Sequence, residues 1–218
     1  MTGRRIVSIS LPHFAMERWQ KVMTRTGNAP PDDMAVALVT EGQHGPVIHA
    51  TNRAARMAGV SAGARVVDVK AVCPDLRVEY ADLAGDRVAL ERLALWARRW
   101  CPWSVVDGPD GLILETTGAD HLLGGEAALL VDIEARLSLL GLTVQVAVAP
   151  TWGAAWALAR FGPVRAICPA EHTAQMLAPL PISALRLDVD TCQLLRRLGL
   201  KTIGAIAGGP RSWRTRGF

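Results

Sequence analysis

The chain has 218 residues, of which 50% are hydrophobic and 20% are charged, and its formal net charge is +4. This length and composition allow a buried core and argue against global disorder, while the apolar runs are too short to span a bilayer and no signal peptide is recognisable, so we expect a cytoplasmic protein without a membrane segment. The four cysteines are far apart and form no Cys-x-x-Cys pair, which disfavours structural zinc and is typical of reduced thiols.

The first third of the chain predicts short strands and helices in alternation. Apolar runs predict three strands, at residues 6–10, 34–40 and 46–50. Two helices are predicted, at residues 14–23 and 53–58, and Gly59 ends the second. Proline and aspartate within residues 28–33 indicate a loop.

The rest of the chain predicts amphipathic helices between buried strands. Helices are expected at residues 83–100, 125–140 and 152–161, with Thr151 as the N-cap of the last. Strands are expected at residues 112–114 and 144–149. Residues 167–182 are interpreted as a connector that contains prolines, and two short helices are expected around Gly199. The mixed order of strands and helices indicates an α+β fold.

The most informative stretch is residues 105–118, where a turn runs into a short apolar strand. Asp110 lies at the mouth of that strand, and an acid in this place is typical of enzymes that hold metal ions for phosphoryl transfer. The next residue is Gly111, which has no side chain, so a second carboxylate that could lie beside Asp110 is missing.

Five ordered motifs resemble those of the Y-family (translesion) DNA polymerases, which carry a UmuC-type domain. They lie at residues 5–14, 50–63, 71–76, 110–117 and 185–206. The resemblance implies a palm formed by residues 1–12 and 80–166, an inserted fingers subdomain at 13–79 and a partial, helix-hairpin-helix-like thumb at 167–218. Family members continue into a little-finger domain and a C-terminal tail, so we expect this chain to stop before them.

Within that family the chain most resembles the polymerase-like subunits of bacterial inducible-mutagenesis cassettes. The carriers include Leu11, Trp96, and residues 109–112, 121–126 and 154–160. This resemblance implies an adaptor in DNA repair and SOS-type mutagenesis. The implied partners are DNA, a recombinase-like cassette subunit, an error-prone replicative-type polymerase and the sliding clamp.

The family's metal site is degenerate in this chain. By resemblance, the three carboxylate positions that hold two Mg²⁺ ions read Leu11, Asp110 and Gly111, and a further acidic position in the first turn reads His13. Asp110 is the only ligand position retained, so we expect neither a bound metal nor catalytic residues. The loss of two charges weakens a site for two dications by several kcal/mol, at about 1.5–3 kcal/mol for each charged contact.

The nucleotide pocket implied by the resemblance is altered as well. The aromatic residue that excludes ribose is replaced by Met16, and a tyrosine that contacts triphosphate by Arg53. Arg56 matches an arginine that binds triphosphate. Two lysines that would neutralise phosphate are replaced by Trp152 and Trp156. Arg53 and Arg56 are therefore the nucleotide-binding candidates.

Positive residues of the thumb are the DNA-binding candidates. They are Arg196, Arg197 and Lys201, followed by Arg211, Arg214 and Arg216. Phosphate contacts and a solvated helix face remain open for all of them. The hairpin that grips DNA through glycine amides in the family reads Leu187-Asp188-Val189-Asp190 here, so two acids occupy its place.

Seven tryptophans allow two interpretations. Trp96, Trp100 and Trp103, and likewise Trp152 and Trp156, could stack on bases, but packing in the core is the expected role.

Three functions remain in consideration. The preferred hypothesis is a non-catalytic, polymerase-shaped adaptor. The alternatives are an active Mg²⁺-dependent translesion polymerase, which alone would require the cofactor, and a remnant without a binding function.

Overall fold

The computed structural model describes residues 3–118 and 124–207. The strands in this part of the chain are β1 (Ile6–Ser10), β2 (Val36–Thr40), β3 (Val47–Thr51), β4 (Arg77–Tyr80), β5 (Ser104–Val106), β6 (Gly111–Glu115), β7 (Gln145–Ala149) and β8 (Ala166–Ile167). The α-helices are α1 (Phe14–Arg25), α2 (Arg53–Met57), α3 (Val66–Val72), α4 (Leu83–Ala97), α5 (Glu126–Leu139), α6 (Trp152–Phe161), α7 (Thr173–Leu177), α8 (Val189–Arg197) and α9 (Ile203–Ala207). Short 3₁₀ turns cover Ala170–His172 and Ile182–Leu185.

The larger sheet, called the main sheet, has the strand order β5-β6-β1-β7-β8. Its pairs are antiparallel except for the parallel pair of β7 and β8. Strand β1 is central, and Ser10 lies opposite Gly111 on β6 and Gln145 on β7. Because side chains alternate along a strand, Leu11 projects to the opposite face from Ser10.

One face of the main sheet packs against α4 and α5. Their apolar stripes meet the inward residues of β1, β6 and β7 in a core that includes Ile9, Leu114, Val146, Ile133 and Leu137, none more than 2% exposed. This layer contains most of the large buried side chains, so it supplies much of the hydrophobic stabilisation of the domain.

The other face of the main sheet packs against α6 and the helical segment that follows it. Alanines provide much of this contact, including Ala147, Ala149, Ala155 and Ala159. Their small side chains allow the axis of α6 to lie close to the sheet, which places the polar residues of α6 over β6. Thr151 caps the helix, because its hydroxyl accepts a hydrogen bond from the amide of Ala154 at 3.2 Å, as predicted.

A second, smaller sheet has the order β3-β2-β4 and lies between α1 and α4 in the chain. Helices α2 and α3 cover one side, where Val39, Ile48 and Leu76 are buried. Helix α1 covers the other side through Met16, which packs on Val36 and Leu38.

The α+β class predicted from the sequence is confirmed, and the predicted strands and helices are present with ends that differ by no more than three residues. The pattern missed α3, β4, β5 and β8. These elements are two to seven residues long and mostly half-exposed, so they have no clear hydrophobic period. The prediction of a connector at residues 167–182 was incomplete, because this segment contains helix α7. None of the helices in the described ranges has the length and apolarity needed to cross a bilayer.

Asn52 joins the small sheet to α2. Its Oδ1 accepts hydrogen bonds from the amides of Val36 and Ala55 at 3.0 and 2.9 Å, and its Nδ2 donates to the carbonyl of Met34 at 2.7 Å. We expect Asn52→Ala to lower the free energy of unfolding by about 2–3 kcal/mol, because two amides lose their acceptor in a buried place. Urea denaturation measures this loss. Asn28→Ala, in an exposed loop, is the control and should change stability by less than about 0.5 kcal/mol.

Candidate functional site

The turn between β5 and β6 places Asp110 beside the end of β1. The amide of Asp107 donates to the carbonyl of Gly111 at 2.8 Å, and the amide of Leu11 donates to the carbonyl of Asp110 at 2.7 Å. Gly108 has φ +69°, a conformation that favours glycine, and it lets the chain reverse between the two acids. Asp107 and Asp110 are thereby held at the same end of the main sheet.

An arginine occupies the space next to Asp110. Nη2 of Arg160, on α6, lies 2.7 Å from Oδ1 of Asp110. The Arg160 side chain is only 11% exposed, and that of Asp110 is 37% exposed. A Cβ atom at Gly111 would lie 2.9 Å from Nη2 of Arg160 and 3.0 Å from the carbonyl oxygen of Ile9. The guanidinium group therefore lies where a side chain on residue 111 would begin.

Asp107 is paired with a second arginine. Its carboxylate, which is 3% exposed, receives hydrogen bonds from Nη2 of Arg186 at 3.1 Å and from Nε1 of Trp152 at 3.4 Å. Arg186 follows the second 3₁₀ turn and has φ +60°, an uncommon conformation for a residue other than glycine. This ion pair connects the helical C-terminal segment to the main sheet.

Trp152 and Trp156 hold the two arginines in place. The guanidinium carbon of Arg160 lies 4.5 Å from the ring centroid of Trp156. That of Arg186 lies 4.9 Å from the Trp156 centroid and 5.7 Å from that of Trp152. These are cation–π distances. Positive charge is thus present at this site although both lysines of the family motif are missing, but two carboxylates of the chain itself neutralise it.

The structure corrects the expected position on β1. The Leu11 side chain is fully buried in the core beneath α4 and α5, where it could not reach a ligand beside Asp110. Ser10 lies directly opposite Gly111 and shares its face of the sheet. Ser10 is therefore the first-strand position that belongs with Asp110 and Gly111. Since serine is not a carboxylate, the deficit of charge is the same.

The residues present do not suit a pair of Mg²⁺ ions. Magnesium requires near-octahedral oxygen ligands, usually including carboxylates. Here Ser10 and Gly111 offer none, and Asp107 and Asp110 are each bonded to an arginine. In residues 3–118 and 124–207, no group of three or more histidine, cysteine, aspartate or glutamate residues could hold a metal.

Of the two nucleotide-binding candidates, only Arg56 lines the cavity near the start of α1. This cavity of about 440 Å³ is also lined by His13, Met16, His49 and Thr51. Nη1 of Arg56 donates to the carbonyl of Thr51 at 2.5 Å, which orients the side chain. Arg53 lines a separate cavity near Gln20, so the structure does not bring both arginines to one site.

The candidate DNA-binding residues Arg196, Arg197 and Lys201 are exposed near the end of α8 and beyond it. None of them forms an ion pair within the described residues. Asp188 caps α8, and its hydrogen bonds from the amide and hydroxyl of Thr191 lower the pKa of its carboxyl group. The remaining candidates, Arg211, Arg214 and Arg216, and residues 121–123 lie outside the described residues.

Exposure also corrects the interpretation of the tryptophans. Trp100 is buried, and Trp96 packs against its edge with the ring centroids 5.1 Å apart, as expected for the core. Trp103 and Trp152 are 74% and 49% exposed, so the expected packing in the core is wrong for both.

Sequence reasoning missed Arg160 and Arg186. The first could have been found, because Trp152, Trp156 and Arg160 are four residues apart and share one face of α6. The position of Arg186 follows only from the tertiary structure, since 79 residues separate it from Asp107.

Gly111 provides a test of the crowded geometry. We expect Gly111→Ala to lower the free energy of unfolding by about 1–3 kcal/mol, because the added methyl group would contact Arg160 and two backbone oxygens. The matched control is Gly153→Ala on α6, where no atom lies within 4 Å of the added group. That change should raise stability by about 0.5–1 kcal/mol. Equal effects of the two substitutions in denaturant titrations would contradict the proposed contact.

Comparisons with known proteins identify the family of the chain and its fold. The model of the IMS: impB/mucB/samB family matches residues 32–160. Protein ImuB of Caulobacter vibrioides (strain NA1000 / CB15N) is 46% identical over 160 residues, covering 73% of this chain and 35% of its own. DNA polymerase IV of Dehalococcoides mccartyi (strain ATCC BAA-2100 / JCM 16839 / KCTC 5957 / BAV1) is 26% identical over 217 residues, covering 98% of this chain and 54% of its own.

Two solved structures share the fold. The crystal structure of DinB from Sulfolobus solfataricus has a TM-score of 0.71 at 15% identity over 96% of this chain and 62% of that one. The post-insertion binary complex of Dbh DNA polymerase has a TM-score of 0.73 at 16% identity over 94% and 60%. The chain thus spans between about a third and three fifths of the length of these relatives. The chain belongs to the impB/mucB/samB (IMS) family and has the fold of the Y-family polymerases.

Proposed function

We propose that this chain is a non-catalytic, polymerase-like adaptor in DNA-damage tolerance. The observation that carries the proposal is the ion pair of Arg160 and Asp110 beside Gly111. The only acid retained from the family's metal-ligand positions is bonded to a guanidinium group of the chain itself.

The chemistry of nucleotidyl transfer explains why this pair matters. Two divalent ions, about 3.5–4 Å apart, bridge the attacking and leaving oxygens. A dication approaching Asp110 would have to displace Arg160, whose side chain is 11% exposed and stacked on Trp156. The displaced guanidinium would lose a charged hydrogen bond that contributes about 1.5–3 kcal/mol. The geometry therefore favours the ion pair over metal binding.

The adaptor role has further support from the family. The chain is similar to Protein ImuB, and its structural neighbours include polymerase complexes whose fold it shares. DNA is the proposed ligand, and Arg196, Arg197 and Lys201 are exposed where they could contact phosphates. We include a recombinase-like cassette subunit, an error-prone replicative-type polymerase and the sliding clamp as proposed partners in damage-induced mutagenesis.

Primer extension tests the absence of catalysis. With primer-template DNA, nucleoside triphosphates and Mg²⁺, we expect neither the natural chain nor Asp110→Ala to extend the primer above the level without protein. An active Y-family polymerase in the same buffer is the positive control. Incorporation that requires Mg²⁺ and is abolished by Asp110→Ala would show that the chain is a polymerase and overturn the proposal.

Salt dependence of DNA binding distinguishes an adaptor from a remnant. We expect the affinity for primer-template DNA to fall as salt rises, and the Arg196→Ala/Arg197→Ala variant to reduce the slope of log K against log salt by about 1 for each lost phosphate contact. Arg65→Ala/Arg87→Ala removes the same charge from exposed residues that are already paired with carboxylates. Fluorescence anisotropy should show no change of slope for this control. A natural chain without DNA affinity would contradict the proposed DNA contact.

A further inference from the structure

Strand β5 forms one end of the main sheet, and no strand of residues 3–118 and 124–207 pairs with its outer edge. Its partner is β6, in the register Ser104 with Leu114 and Val106 with Leu112. An edge strand presents unpaired amides and carbonyls, to which an extended segment of another chain can add.

The backbone of β5 shows which groups are free. The carbonyl of Trp103 accepts from the amide of Glu115 at 3.0 Å, and the amide of Asp107 donates to the carbonyl of Gly111 at 2.8 Å. In an antiparallel ladder every second residue bonds to the neighbouring strand. Val105, midway between Trp103 and Asp107, therefore also bonds to β6 through its backbone. The amides and carbonyls of Ser104 and Val106 therefore point away from the sheet, and no other element of the described chain bonds to them.

The side chains next to this edge are unusually apolar for a surface. Trp103 is 74% exposed and Val105 is 54% exposed. Trp103 directly precedes β5 and continues its pairing with β6, so Trp103 and Val105, two residues apart, lie on the same face of the sheet. Tryptophan is among the residues most enriched at the centres of protein interfaces, and a large exposed aromatic beside an open strand edge is a feature of binding surfaces.

Positive charge precedes the strand. Leu95, which is 57% exposed, lies within one helical turn of Arg98 and Arg99 at the end of α4. The Ser104 hydroxyl donates to the carbonyl of Ala94 at 2.6 Å, which fixes β5 beside this turn. Arg98 is exposed and forms no ion pair among the residues that the structure describes. Arg99 lies 3.8 Å from the ring centroid of Trp96 and donates from Nε to the carbonyl of Trp96 at 3.2 Å, so Arg98 is the arginine that is open to a partner.

We propose that this surface, formed by the outer edge of β5, Trp103, Val105, Leu95 and Arg98, binds an extended segment of a partner protein that alternates acidic and apolar residues. The segment adds to β5 as a further strand. Its backbone forms hydrogen bonds with Ser104 and Val106, and its carboxylates pair with Arg98.

Charge and backbone chemistry favour this occupant over two others. The residues of this surface include Arg98 and no carboxylate, so the same surface on a second copy offers Arg98 no opposite charge. DNA phosphates can accept from Arg98 and from the free amides of β5, but they donate nothing to the free carbonyls of β5 and leave Val105 uncovered. The inference depends on β5 and α4 alone, so it stands whether or not the chain binds DNA or lacks polymerase activity.

Two synthetic peptides of ten residues test the proposal, one alternating aspartate with valine and one alternating lysine with valine. We expect the acidic peptide, at saturation, to slow hydrogen exchange of the Ser104 and Val106 amides at least tenfold by NMR, and the basic peptide to leave them unchanged. Trp103→Ala and Arg98→Glu should each weaken binding of the acidic peptide at least tenfold. Leu139→Ala, at a residue 87% exposed on α5, is the control and should bind like the natural chain.

Three results would overturn the proposal. The first is equal exchange of both amides with and without the acidic peptide. The second is protection of the same amides by an oligonucleotide that Trp103→Ala weakens, which would assign the surface to DNA. The third is self-association in light scattering that is lost in Trp103→Ala, which would assign it to a second copy. The variants change exposed residues, and an otherwise unchanged amide spectrum shows that they fold.

Discussion

The ion pair of Arg160 and Asp110 is the constraint on which the rest of the site depends. With Arg160 mostly buried, removal of Asp110 would leave a guanidinium group without its carboxylate, and such a loss costs more than the pair itself contributes to stability. The pair is supported from both sides, by Trp156 stacked on the guanidinium and by Gly111, which leaves space for it. A site with carboxylates for two dications would therefore require several changes together, at residues 10, 111 and 160.

The residues at the site do not disturb the core, because the core and the site lie on opposite faces of the main sheet. Ile133 and Leu137 on α5 pack with Leu114 of β6 on one face of the main sheet. Ser10, Gly111 and Arg160 lie on the other side. Large buried side chains determine most of the stability, and none of the altered site residues belongs to that cluster. The residues at this site can thus differ while the main sheet and its core keep the fold of the family.

Part of this arrangement could be predicted from the sequence. Strands β1 and β7 are continuous apolar runs, and α6 begins at a threonine cap, so local pattern and structure agree there. The error at Leu11 arose because a shift of one residue along a strand exchanges the two faces, and a buried serine at residue 10 did not indicate which face it joined. The Asp107 contact with Arg186 joins distant parts of the chain, and no local pattern specifies it. Asp110 and Gly111, in contrast, were recognisable because turn, strand and missing carboxylate are adjacent in the chain.

The ion pair of Arg186 and Asp107 has a consequence for how the helical segment after α6 is placed against the main sheet. In an enzyme that closes around its substrate, the binding of ions and nucleotide provides the free energy that orders the active arrangement. Here arginine, tryptophan and aspartate from the chain itself already join the helical C-terminal segment to the main sheet. The relative placement of these two parts is therefore set during folding, by contacts within the chain itself rather than by a bound ligand.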